Sequence, residues 1–200
     1  MTRIVSGRYG GRRISVPEGR HTRPTSDRVR EALFSTLDSQ MDLAGARVLD
    51  LFAGSGAVGL EALSRGAEHA LLVEHDPKAV KAIRANIAAL AATGARVTAA
   101  KVATVLAAGN PDQPYDLVFA DPPYPLTEEE LTAVLKSLTE GRWLADDAVV
   151  VLERSRRSPE PQWVQGVTGE RSRRYGESIL WYGRAVAQSG VPNQPEGRAQ

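Results

Sequence analysis

The sequence contains no cysteine. Disulfides and thiolate metal sites are therefore excluded. So is chemistry that runs through a cysteine adduct, such as methylation at cytosine C5. Histidine is scarce: His21, His69 and His75 lack metal-ligand spacing and read as surface or loop residues, so no metal is expected. No stretch approaches the ~18 uninterrupted apolar residues of a membrane span. The N-terminus, MTRIVSGRYGGRRISVPEGR, is basic and lacks the apolar core of a secretory signal. These absences point to a cytoplasmic protein with no membrane association, and a monomer is expected.

Net charge is only +1, but it is unevenly spread. Residues 1–30 hold eight Arg against Glu18 and Asp27, and residues 154–174 hold six Arg against Glu160 and Glu170. Two basic ends on an acidic body suit a polyanion, although solvated loops would give the same count. All the basic residues in both segments are Arg, whose fork matches phosphate better than the Lys ammonium does.

The chain divides into an N-terminal extension (residues 1–22), a main domain (23–185) and a tail (186–200). In the extension, RIVSGRY and RRISV flank Gly10-Gly11, which predicts a hairpin with a two-residue turn. Thr25 or Ser26 would cap a helix in which Val29, Leu33, Phe34 and Leu37 share a face. Strand and helix patterns then alternate. ARVLDL (46–51), ALLVE (70–74), ARVTAA and YDLVFA read as buried strands. Helices are predicted near 57–65, 76–92, KVATVLAA and TEEELTAVLKSL, the last with a Thr127/Glu130 capping box. DAVVVLE (147–153) and SILWYGR (178–184) are further strands, with another near Gln162–Val167 or Arg171–Tyr175. The Gly/Pro/Gln-rich tail is expected to be disordered. Alternation of this kind implies an α/β fold: a Rossmann-like, mostly parallel sheet with helices on both faces. Ligands in such sheets bind beyond the carboxyl ends of the strands, which gathers Asp50–Gly56, Glu74 and Asp121–Tyr124 at one rim.

Gly54-Ser55-Gly56-Ala57-Val58-Gly59 follows a strand and opens a helix, and Glu74 ends the next strand. This fits a dinucleotide loop. Asp50 argues against that ligand, because a carboxylate beside a pyrophosphate would be repelled. S-adenosylmethionine has a cationic amino group, a ribose and no phosphate. Asp50 for the ammonium, Gly54 and Gly56 for close approach and Glu74 for the ribose form a consistent set.

Asp121-Pro122-Pro123-Tyr124 ends the YDLVFA strand. Proline fixes its own φ and holds the preceding residue extended, so the corner is stiff. The Asp121 carboxylate and the Pro122 carbonyl can then both accept from an NH2 group. Accepting both of its hydrogens frees the nitrogen lone pair for attack. Tyr124 can stack on the attached ring, worth ~1–3 kcal/mol.

DPPY and DLFAGSG resemble the paired motifs of S-adenosylmethionine-dependent amino-methyltransferases that act on nucleic-acid bases. Together with RIVSGRYGGRRISVP, RPTSDRVREALF (23–34) and YGESILWYGR (175–184), they resemble the bacterial 16S rRNA guanine-N2 methyltransferase family over residues 3–184. The resemblance implies a seven-stranded class I methyltransferase sheet with an N-terminal hairpin extension. It implies that Asp121, Pro122, Pro123 and Tyr124 hold a guanine, and that Asp50, Phe52, Ala53, Gly54, Gly56 and Glu74 hold the cofactor. Arg23, Thr25 and Arg28 would lie near its methionine end. The implied partner is 16S rRNA in the small subunit or an assembly intermediate. The target must be unpaired or flipped, and Arg8, Arg12, Arg13 and Arg20 are expected to clamp phosphates around it. One departure stands out: Ala100-Lys101-Val102 lacks the acid that many methyltransferases use for the adenine amine. A DNA adenine-N6 or cytosine-N4 methyltransferase, an NAD-dependent oxidoreductase and a non-catalytic RNA-binding protein remain alternatives.

Overall fold

A computed structural model describes residues 2–17 and 27–187. Two short strands, β1 (Thr2–Arg3) and β2 (Arg13–Ile14), pair antiparallel. The main sheet contains β3 (Arg47–Leu51), β4 (His69–Glu74), β5 (Ala95–Ala99), β6 (Tyr115–Ala120), β7 (Leu144–Ser155), β8 (Val167–Tyr175) and β9 (Ser178–Ala185). Its order is β5-β4-β3-β6-β7-β9-β8. Strands β3 to β7 run parallel, and β9 and β8 complete the sheet antiparallel. The helices are α1 (Asp27–Asp38), α2 (Ala57–Ser64), α3 (Pro77–Leu90), α4 (Val102–Ala107) and α5 (Glu128–Glu140).

Strands buried on both faces need two cores, and the side chains divide accordingly. One core joins Val48, Phe119, Val151 and Tyr182 to α1, α2, α3 and the N-terminal extension. The other joins Leu49, Val118 and Val150 to α4, α5 and Trp143. Among the described residues no helix is long and apolar enough to cross a membrane.

Local signals act as expected in the helices. Asp76 caps α3 by accepting from the Ala79 N–H (3.2 Å), with Pro77 in the first turn. Thr127 and Glu130 form the reciprocal capping box of α5. The last undecided strand is β8, which contains Arg171–Tyr175. The proposed caps of α1 and the tail after residue 187 lie outside the described residues.

The hairpin departs from expectation. Gly10-Gly11 does form a tight turn, with Arg12 N–H donating to Tyr9 O (3.1 Å), but the paired strands are joined by a longer connection from Ile4 to Arg12, closed by Ile4 N–H to Arg12 O (3.0 Å) and Gly11 N–H to Ile4 O (2.8 Å). Docking on α2 holds the rest of the connection. The Glu61 carboxylate accepts from the Val5 and Ser6 N–H groups (2.8 and 3.0 Å), and Ser64 Oγ accepts from the Tyr9 N–H (2.8 Å). Gly7 sits so close that an added Cβ would lie 2.0 Å from the Ser64 carbonyl oxygen. Buried Arg30 of α1 closes the arrangement, with Nε 3.4 Å from buried Glu61. Removing one partner of such a pair leaves an uncompensated buried charge, costing ~3–5 kcal/mol.

Candidate active site

Register brings the distant motifs to one rim. Leu51 pairs with both Val73 and Ala120, and Ala120 pairs with Leu152. The residues that follow these positions, namely Phe52, Glu74, Asp121 and Glu153, therefore emerge side by side.

On the β3–β4 side the carboxylates are buried and already bonded. Asp50 Oδ2 accepts from the Gly59 N–H (3.0 Å) in the first turns of α2. Gly59 permits that approach, since a Cβ there would lie 2.5 Å from Leu72 Cδ2. Burial pushes the Asp50 carboxyl up to about 8; the Gly59 N–H opposes the shift and the nearby Glu74 charge adds to it. Glu74 binds the loop itself: Oε2 accepts from the Gly54 N–H (2.9 Å), and Oε1 from the His75 and Asp76 N–H groups (3.0 Å each). Phe52 adopts φ 57°, sparse territory for a bulky residue, and Gly54 (59°) and Gly56 (80°) continue the left-handed turn. Gly56 then serves as the N-cap of α2 without any side-chain bond.

On the β6 side the corner is open. Asp121 is half-buried, Pro122 is buried, and Pro123 and Tyr124 are exposed. Tyr124 is 71% exposed, while every other aromatic side chain among the described residues is at least partly covered. Desolvation holds the Asp121 carboxyl well above the usual carboxylate range. The Glu153 and Asp50 charges push it further up, and the Arg154 guanidinium opposes them. Arg154 is itself buried and ion-paired to Glu128. The Asp50 charge thus acts on Asp121 across the rim.

A cavity of about 310 Å³ opens against α4 and α5 beside the rim, and Asp50, Gly54, Gly56, Glu74, Asp121 and Tyr124 are not among its lining residues. Phe52 and His75 line it from the glycine-loop side, Lys101 and Val102 from the start of α4, and Pro123 and Leu126 from the proline corner. Sequence reasoning left the contacts after β5 unassigned. An apolar wall carries no motif, and only the fold shows that Val102 and Leu126 face one space.

The arginines chosen from sequence fare unevenly. Arg28 is exposed on the first turn of α1, and Arg20, Arg23 and Thr25 lie outside the described residues. The Arg12 guanidinium donates to the Ala89 and Leu90 carbonyls at the end of α3, a C-terminal cap favoured by the helix dipole. The Arg8 N–H donates to the Ser64 carbonyl at the end of α2 (2.7 Å), and its guanidinium lies 5.8 Å from the Tyr9 ring centre. Arg13 is exposed in β2. An eight-residue helix spans about 12 Å. The tip of the extension therefore sits at the far end of α2 from the glycine loop, and Arg8 and Arg12 are not brought to the Asp121 corner.

Five parallel strands ending in an antiparallel pair, with the glycine loop facing a proline corner, make the chain a methyltransferase of the Rossmann-like class. A solved structure, the putative methyltransferase yhhF from Escherichia coli, overlays on it with a TM-score of 0.82 at 35% identity, covering 94% of this chain and 99% of that one. The chain belongs to the family described as Conserved hypothetical protein 95, which it matches over residues 2–184. It is 42% identical to Ribosomal RNA small subunit methyltransferase D of Escherichia coli strain K12 over 151 residues, 76% of this chain and 73% of that protein. It is 38% identical to the Putative rRNA methyltransferase YlbH of Bacillus subtilis over 176 residues, 87% of this chain and 94% of that protein.

Proposed function

We propose that the protein transfers a methyl group from S-adenosylmethionine to the exocyclic N2 of a guanine in 16S rRNA, presented in the small subunit or an assembly intermediate. The observation that carries this reading is that Phe52, which opens the glycine loop, and Pro123, in the proline corner, line one cavity. The relatives' names supply the substrate class.

The residues present fit the cofactor. Asp50 is a buried carboxyl whose ionisation is opposed by its surroundings, so a cationic ammonium is the partner that would favour its charged form. Glu74, at the end of β4, is the ribose partner in this reading. Phe52, Val102 and Leu126 offer an apolar slot for the adenine, which needs no acid at Lys101. Ala53, Gly54 and Gly56 let the backbone approach, and Arg23, Thr25 and Arg28 complete the methionine end in this reading. When bound, S-adenosylmethionine supplies an electrophilic methyl group.

The protein's own part is positioning and proton handling. Tyr124 stacks on the guanine. The Asp121 carboxylate and the Pro122 carbonyl accept from the two N2 hydrogens and aim the lone pair toward the cofactor side of the cavity. As N2 gains its methyl group, positive charge builds on it, and the fixed acceptors stabilise that charge without reorganising. Asp121, whose affinity for protons is already raised, can take the N2 proton and pass it to solvent. Pro123 holds the corner rigid, so the acceptors are set before the base arrives.

The reading is tested by incubating the protein and labelled donor with small subunits that lack the modification, then mapping the methyl group by mass spectrometry of nuclease fragments. A methylated guanine N2 at one site is expected. A label on adenine, on protein or on DNA alone would overturn it.

A further inference from the structure

The tip of the N-terminal extension does not reach the catalytic corner, yet the rim has another dense set of arginines beside it. Strand β8 is the outermost strand of the sheet, and Thr168–Arg174 are all exposed. Arg173 pairs with Leu180, which pairs with Glu153. Arg174 pairs with Ile179, which pairs with Arg154. Arg173 therefore lies level with Asp121, and Arg174 with Pro122. From β6 to β8 is three inter-strand steps, about 14 Å. Arg156 and Arg157 are exposed in the turn after β7, where the Arg156 N–H donates to the Glu177 carbonyl (2.8 Å) beside the β8–β9 turn. The arginines thus follow the rim outward from the corner.

Their side chains occupy both faces of the edge. Arg171 and Arg173 share a face with Tyr182 and Leu180, and the charges of both act on the buried Tyr182 hydroxyl. Arg174 is opposite Ile179, on the other face. Among the described residues, none of Arg156, Arg157, Arg171, Arg173 and Arg174 is ion-paired to a carboxylate. Glu170, the acid within the strand, is held by Arg184 at 2.9 Å. A structural role would use these guanidinium groups, as α3 uses Arg12. Here they are left free.

We propose that the outer edge formed by Arg171, Arg173 and Arg174, with Arg156 and Arg157, is an RNA-backbone surface that grips phosphates flanking the target nucleotide. The inference rests on the function proposed above and extends it by assigning the grip to the C-terminal ribbon. Forked guanidinium groups on both faces suit a strand wrapped around the edge, and contacts of this kind add affinity and orientation without reading sequence.

The test compares two variants with the native chain: Arg171→Gln/Arg173→Gln/Arg174→Gln and Arg156→Gln/Arg157→Gln. Readouts are binding to labelled small subunits across a salt series, S-adenosylmethionine affinity by calorimetry, Tm, and light scattering. The triple variant is expected to weaken RNA binding about tenfold or more and to lower the salt slope by about 2, with cofactor affinity and Tm retained. The matching Arg→Lys triple should restore the slope. A triple variant that folds with an unchanged slope overturns the proposal. So does one that only self-associates, because the arginines would then merely guard an open strand edge. Failure of the functional reading looks different: the native chain would bind RNA with the predicted slope and methylate nothing.

Discussion

The two halves of the rim hold their acids in opposite ways. On the β3–β4 side, Asp50 and Glu74 are buried and committed to backbone N–H groups of the loop and of α2. On the β6 side, Asp121 stands half-open beside the largely exposed ring of Tyr124. The first half is built before any ligand arrives. The second supplies rigid acceptors but waits for a base to complete it. A small cofactor that must bind every cycle suits a preformed slot, whereas a nucleotide turned out of a large RNA suits an accessible corner.

Removing acids from each half is the sharpest way to break this contrast. Asp121→Ala should lower kcat about 1,000-fold while calorimetry finds cofactor affinity nearly unchanged. Lost cofactor binding would make Asp121 part of the preformed half. In the native enzyme kcat/KM should fall as pH drops through a value above the ordinary carboxylate range, because burial and neighbouring acids raise the Asp121 carboxyl. Tyr124→Ala should raise KM for the subunit about 10- to 100-fold through lost stacking, with Tm unmoved because the ring is exposed. Glu74→Ala should weaken S-adenosylmethionine binding about tenfold and lower Tm as well, since three backbone N–H groups lose their acceptor. The smallest effect concerns Asp50→Asn. The folded-state Asp50 carboxyl is raised from 3.8 to about 8, so the native fold binds the extra proton in that window and loses stability as pH rises through it. The amide keeps an acceptor for the Gly59 N–H and carries no charge to desolvate. Asp50→Asn should therefore show a Tm a few degrees above native at pH 8, with the gap closing near pH 4, and weaker cofactor binding throughout.

The open half was the more legible in sequence. Consecutive prolines fix φ locally, so Asp121–Tyr124 could be read as a stiff acceptor corner with no knowledge of its surroundings. The strands and capped helices were legible for the same reason: β6 coincides with YDLVFA, and the Thr127/Glu130 box forms as written. What stayed hidden depends on contacts between residues far apart in the chain. Gly10-Gly11 signals the tight turn that forms, but nothing local marks the longer loop that Gly7, Tyr9 and Ser64 hold against α2. Arg12 looks like a free cation until α3 arrives with two unsatisfied carbonyls. Nothing in the letters marks Phe52 for a left-handed backbone, or Arg30 for full burial against Glu61. Charge counting finds both basic ends, but only the fold shows that Arg173 and Arg174 lie level with Asp121 and Pro122.

The seating of the N-terminal segment on Glu61 and Ser64 also orders events during synthesis. Residues 2–17 leave the ribosome before α2, since their partners there are made some 55 residues later. The segment must wait as a basic, unpaired leader until the first βα unit exists. Its docking then buries the Arg30–Glu61 pair and marks the moment at which that unit becomes closed to solvent.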